Sequence, residues 1–355
     1  MFKTHGPALT AGASAAALAL LLAGCTTTAA PEPTAGETTP SAESLGTVRF
    51  AFDWTPNTNH TGLYVARELG YFDEAGVDVE FLPYNGSYPD TLVDAGAAEC
   101  GIGFQELSSV NMAAGAHLKS VMATLQHWVT AIGVSAERDD IQSPKDLDGK
   151  IYAGFGSATD GPLVETVIRT DGGAGTVEYV ALNTAAYEAV YAGTADATIP
   201  FETWESIEAE LRGTPFKHFE FTDYGVPDNY AVTINCNTDW LDANPELATA
   251  FIQALEKGYI YTQENPIAAG DILIAAEPDG FSTEEGIELV HQSQELISSE
   301  YMLDESGEFG AMLAERWTAL GAWLLDNGLL FDADGTPLTE APDWNAFFTN
   351  EYLAG

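Results

Sequence analysis

From Thr47 onward, short β-rich runs alternate with runs of helical character. Val48–Asp53, Val77–Leu82, Cys100–Phe104 and Ser120–Gln126 predict strands, with helices at Thr61–Leu69, Pro89–Ala97 and Ser108–Gly115 between them. A second set begins with Ala131–Ser135. It continues through strand Ile151–Gly154, helix Pro162–Thr170, strand Val177–Leu182, helix Ala185–Ala192, strand Ala197–Pro200 and helix Trp204–Arg212. Tyr230–Asn235 leads back out, and the tail is helical, with runs from Asn244 to Asn265 and from Phe309 to Asn327. Such alternation signals α/β units around a largely parallel sheet.

The first 46 residues do not fit that pattern. An apolar stretch from Ala11 to Ala23, preceded by Lys3, is too short to span a bilayer and reads as a signal segment over residues 1–24. It closes on Leu22-Ala23-Gly24-Cys25, which resembles the lipobox of bacterial lipoproteins and makes Cys25 the expected lipidation site. Residues 25–46, dominated by Thr, Ala, Pro, Glu and Ser, read as a disordered tether. The expectation is a lipid-anchored protein on the extracellular face of the membrane.

Charge narrows the function. Twelve Lys plus Arg stand against 54 Asp plus Glu, a net charge of −42. A phosphate backbone needs a cationic footprint, so nucleic acid is excluded as a partner. With 46% hydrophobic and 11% aromatic residues the chain can still build a core. Three cysteines do not make a disulfide scaffold, although Cys100 and Cys236 could pair in an oxidising compartment.

The segment Phe52-Asp53-Trp54-Thr55-Pro56-Asn57-Thr58-Asn59-His60-Thr61-Gly62-Leu63-Tyr64-Val65-Ala66 resembles the opening motif of the thiamine-precursor binding family. Its members carry formylaminopyrimidine or hydroxymethylpyrimidine to ABC importers. The similarity continues through Gly70-Tyr71-Phe72, Gly101–Glu106, Gln126-His127, Ser143–Lys150, Tyr224–Asp228, Asn244–Pro266 and the Trp323–Gly328 helix end. It implies an α/β, two-lobed periplasmic-binding-protein-like (type II) fold. By analogy the second lobe (131–233) is inserted into the first (47–130 and 234–355), with hinge crossings near 130 and 233. It also implies a monomer, without cofactor, served by permease and ATPase subunits.

Chemistry supports this. Asp-Trp-Thr-Pro-Asn after a strand puts an indole, a carboxylate and amides at a sheet's carboxyl edge, where α/β ligands bind. Trp54 could stack on a diazine ring while Asp53, Asn57 and Asn59 read its polar edge, with His60 closing the cluster. Locally, a core tryptophan with turn-shaping asparagines remains open. Gln105 and Glu106 follow another strand, where Glu106 is either an amine acceptor or a helix N-terminal acid. Glu202, before Trp204, resembles the family's cleft acid, with an ordinary surface acid as the alternative. His127 reads equally as ligand contact or structural histidine, and Tyr152, Tyr187 and Tyr230 as weaker candidates.

The loop Gly154–Asp160 sits where relatives that bind sulfonates or nitrate hold the anion on a helix N-terminus. Here Asp160, a possible N-cap, already offers a carboxylate there, and no Lys or Arg falls in the loop, which disfavours an anionic ligand. Eukaryotic relatives are pyridoxal-phosphate-dependent pyrimidine synthases that use a Lys and a His; at those positions this chain has Gly103 and Leu107. No zinc-ligand spacing, nucleophile elbow or Walker loop occurs, so the expectation is a binding protein rather than an enzyme. The alternative ligand is another heteroaromatic nutrient such as riboflavin.

Overall fold

The computed structural model describes residues 44–157 and 159–354. The expected signal segment, Cys25 and the tether up to residue 43 lie outside the described residues. Five strands build the first sheet: β1 (Gly46–Ala51), β2 (Val77–Leu82), β3 (Cys100–Gly103), β4 (Leu118–Leu125) and β9 (Val232–Asn237), in the order β2-β1-β3-β9-β4. β1 is parallel to β2 and β3, with Phe50 level with Phe81 and Cys100. Val48, Phe50 and Ala51 are fully buried, as befits a central strand covered on both faces.

One expectation needs correcting. The sheet is mixed, because β9 runs antiparallel to both β3 and β4. The chain leaves this sheet after Leu125 and re-enters it at Val232, which pairs with Leu125, so the returning strand starts at the edge the chain left and runs back. Cys100 and Cys236 lie directly opposite each other on β3 and β9 and form a disulfide, with Cα atoms 4.0 Å apart. Outside the sheet, helices Thr61–Glu68 and Pro245–Glu264 cross closely over the core. Glycine makes that approach possible, since a Cβ on Gly258 would sit 2.2 Å from the Gly62 carbonyl oxygen.

The second lobe has smaller pieces of sheet. β5 (Ala131–Ser135) pairs antiparallel with β8 (Phe216–Glu220), and β6 (Ile151–Gly154) pairs parallel with β7 (Glu178–Ala181). The expected strand Ala197–Pro200 is reduced to single bridges, Thr198 to Gly133 and Ala197 to Tyr152, which join the two pairs. Pro200 offers no N–H to extend the ladder. Two crossings, residues 126–130 and 229–231, link the lobes.

Helix boundaries moved in ways that matter for the site. The helix expected at Ser108 begins at Gln105, so Glu106 stands in its first turn rather than at a strand end. The helix expected from Phe309 begins at Ala314, because Gly310 instead bridges to Ala123 of β4. Among the described residues no helix is long and apolar enough to cross a membrane.

Candidate functional site

The end of β1 delivers Asp53 and Trp54 to the junction between lobes. A single turn, Thr58–His60, holds them there. Asn57 Oδ1 accepts the Asn59 N–H (2.9 Å), and the Asn57 N–H donates to His60 Nδ1 (3.3 Å). With Nδ1 used as acceptor, the His60 proton resides on Nε2, which donates to Asp53 Oδ1 at 2.7 Å. His60 is fully buried behind Asp53. It orients that carboxylate and leaves Oδ2 for the cavity.

That cavity measures about 120 Å³. Asp53, Trp54, Asn57 and Asn59 form one wall, with Tyr84 and Tyr88 from the loop after β2 and Glu106 from the helix at 105. Trp128 and Asn229 come from the two crossings, and the second lobe adds Phe155, Asp160, Tyr187, Phe201, Trp204 and Glu205. Trp54 reaches across to the second lobe, its ring 5.9 Å from Phe155 and 6.4 Å from Tyr187, with Tyr84 at 5.5 Å. The Tyr84 hydroxyl also crosses, donating to Asn183 Oδ1 at 2.7 Å.

The wall mixes donors and acceptors, and Asn59 Oδ1 and Asn229 Oδ1 are buried without a hydrogen-bond partner. Four acids line the space, and no Lys or Arg does. Burial pushes Glu106 up to about 7 and Glu205 up to about 8. Asp160 is the first helical residue of Asp160–Thr170 rather than its N-cap, which is Thr159. Its Oδ2 accepts the N–H groups of Phe155, Gly156 and Ser157 (2.7, 3.0 and 3.2 Å) and the Tyr179 hydroxyl (3.1 Å). A carboxylate of the chain itself therefore fills the place where a loop of this kind would hold an anion.

Of the thirteen residues singled out from sequence, seven line the cavity: Asp53, Trp54, Asn57, Asn59, Glu106, Tyr187 and Trp204. The other six lie off its wall. Tyr230 is fully buried, its hydroxyl accepting the Leu313 N–H. His60 stands behind Asp53. Gln105 is fully buried, accepting the Tyr230 N–H at 2.9 Å and donating to the Arg316 carbonyl. His127 is paired with Asp228 at 2.8 Å, so its structural reading holds in this geometry. Tyr152 is enclosed in the second-lobe core, 1% exposed, with its ring beside Tyr179. Glu202 turns toward Glu220 instead of the ligand space, and burial together with that neighbour raises it to about 8. One helical turn later, Glu205 occupies the position in the wall that sequence reasoning gave to Glu202.

Several wall residues escaped notice: Tyr84, Tyr88, Phe155, Asn229 and Glu205. Tyr84 had a legible signal, since it follows the carboxyl end of β2, the edge where α/β ligands bind. Among the described residues no group of three His, Cys, Asp or Glu could hold a metal ion.

Residues 57–269 match the NMT1/THI5-like family. The chain belongs to that family. A formylaminopyrimidine-binding protein of Halalkalibacterium halodurans is 30% identical over 311 residues, covering 86% of this chain and 90% of that protein. The NMT1/THI5-like relatives also include enzymes. A 4-amino-5-hydroxymethyl-2-methylpyrimidine phosphate synthase of Saccharomyces cerevisiae is 25% identical over 253 residues, 66% of this chain and 72% of its own. Among solved structures, the ligand-binding component of an ABC-type import system from Staphylococcus aureus superposes with a TM-score of 0.65 at 15% identity, covering 86% of this chain and 97% of that one. The two-lobed α/β fold of periplasmic binding proteins is thus the fold of this chain.

Proposed function

We propose that this protein is the solute-binding component of an ABC importer that captures an aminopyrimidine thiamine precursor between its lobes. The observation that carries this is the chemistry of the wall. Aromatic faces suit a flat ring, and carboxyl oxygens, with no Lys or Arg among the lining residues, suit an exocyclic amine. The relative named for binding formylaminopyrimidine supports the same ligand class. Lobe closure around the ring, with Trp54 against Phe155 and Tyr187 as it lies here, would give the form that a permease reads.

We read the protein as a carrier and not as a synthase, and packing supports this. A Cβ on Gly103, where the synthases resemble this chain but use a lysine, would lie 2.0 Å from Asn235 Nδ2. That amide is held by Asp90 and Ser108 and cannot simply step aside. The Cys100–Cys236 disulfide supports an exported protein, since such bonds persist in oxidising compartments. A lipid on Cys25 would keep it at the outer membrane face; the mass of the mature N-terminal peptide tests that.

Calorimetric titration at pH 7 with formylaminopyrimidine, hydroxymethylpyrimidine, thiamine and riboflavin decides the ligand. Binding of a pyrimidine and silence for riboflavin is expected; the reverse sinks the proposal. Trp54→Ala should weaken pyrimidine binding by about 2–3 kcal/mol, roughly 30- to 150-fold. Glu202→Ala should change it by less than about twofold (~0.4 kcal/mol).

A further inference from the structure

The four cavity acids pose a question that the ligand's size does not answer. Glu205 is buried, and its Oε2 accepts the Phe201 N–H at 3.1 Å, which leaves Oε1 as the atom available to the ligand space. The charged groups that act on it most strongly are acids. Glu208 stands one turn along its own helix, and Asp53 faces it from the end of β1. Two phenols, Tyr187 and Tyr191 of the helix Ala186–Tyr191, also feel its charge. Arg212, the nearest cation of that helix end, is already bonded to Glu208 and Glu188 (2.7 Å each). A carboxylate at Glu205 would therefore be desolvated, surrounded by like charge and aimed at a ring nitrogen lone pair. A carboxylic acid has none of these penalties.

We propose that the cavity captures its ligand together with one proton, carried on Glu205 Oε1, and so selects heteroaromatic bases that present a ring nitrogen beside an amino group. The acid O–H donates to the ring nitrogen while the amine donates to a carboxylate oxygen in the wall, Asp53 Oδ2. This rests on reading the cavity as the pyrimidine site. It goes further by making Glu205 a donor, by tying affinity to pH, and by excluding rings that lack a basic nitrogen. Burial raises the Glu205 carboxyl to about 8, which places the loss of the proton on the alkaline side of neutrality.

The test is calorimetric titration of the full chain with hydroxymethylpyrimidine and formylaminopyrimidine from pH 6 to pH 10, in buffers of different ionisation enthalpy. The expected result is flat affinity below about pH 8, a tenfold loss per pH unit above it, and uptake approaching one proton per ligand at pH 9. Glu205→Gln keeps an N–H donor and an oxygen for the Phe201 N–H, so it should bind with affinity independent of pH over that range. Glu106→Gln should keep the slope. Binding that varies less than twofold from pH 7 to 10 overturns the inference and leaves the pyrimidine reading standing. A slope lost in Glu106→Gln and kept in Glu205→Gln overturns the assignment to Glu205. No binding of either pyrimidine at any pH overturns both.

Discussion

The two lobes that enclose the cavity are held together by different means. The first has a five-stranded sheet buried on both faces, a disulfide between adjacent strands, and a polar knot beneath it. In that knot, fully enclosed Asp90 accepts from Asn235, Ser108 and Asn111 at 2.8–3.0 Å. The second lobe has short strand pairs, and its loops are tied by aspartates that accept backbone N–H groups. Asp148 takes Ala174 and Thr176, Asp171 takes Lys145, Asp196 takes Ile151, and Asp160 takes three in the cavity loop. Backbone dipoles thus act as positive partners for many of these carboxylates, and the few bases reinforce some of them, Arg138 at Asp196 among them.

The largest test of this contrast is the disulfide. Replacing Cys100 and Cys236 by alanine reopens a link across 136 residues and should cost about 3–5 kcal/mol in urea unfolding. A loss below ~1 kcal/mol would mean that the sheet alone carries the first lobe. Asp160→Ala comes next. It strands three N–H groups, and a loss of about 2–3 kcal/mol is expected. Sulfate should restore part of it by occupying the vacated anion position, whereas wild-type protein should show no such rescue; equal sulfate effects on both would refute the role given to Asp160.

The last test is the pH profile of stability. Glu106 and Glu205 have raised folded-state values, so the native state keeps protons that the unfolded chain releases; their contribution is full below the ordinary carboxylate value, falls as pH rises above it, and is lost once pH passes about 7 and 8. Asp148 and Asp171 have lowered values. Ala174 and Thr176 N–H groups hold Asp148 down, and for Asp171 the Ser143 hydroxyl and Lys145 N–H outweigh burial. Their contribution is present above the ordinary carboxylate value near 4 and is lost as pH falls below it. Stability should therefore peak between about pH 4 and 5 and decline steadily toward about pH 8.5, as read by thermal unfolding. A rising profile from pH 6 to 8.5 would contradict the burial of both glutamates.

Most strands and the Asp53–His60 turn were legible in sequence, since β-rich runs and Pro-Asn turns are local features. The antiparallel return of β9 was not, because direction depends on where the chain re-enters the sheet. At the site, Trp54 and Glu106 could be read from their place after strands. Glu205 could not be separated from Glu202, for both precede or open the same helix and only its phase decides which one faces the cavity.

By itself, the sequence determined the alternation of elements, the aromatic and amide chemistry after β1, and the lack of any base in the loop at 154–160. These follow from residue type and spacing, which act over a few positions. Tertiary structure alone decided which acids share the cavity, that His60 serves Asp53 from behind, that Cys100 meets Cys236, and that Asp160 turns its carboxylate into the loop. Those outcomes depend on residues brought together from distant parts of the chain, and on the loss of water that makes a buried carboxyl keep its proton.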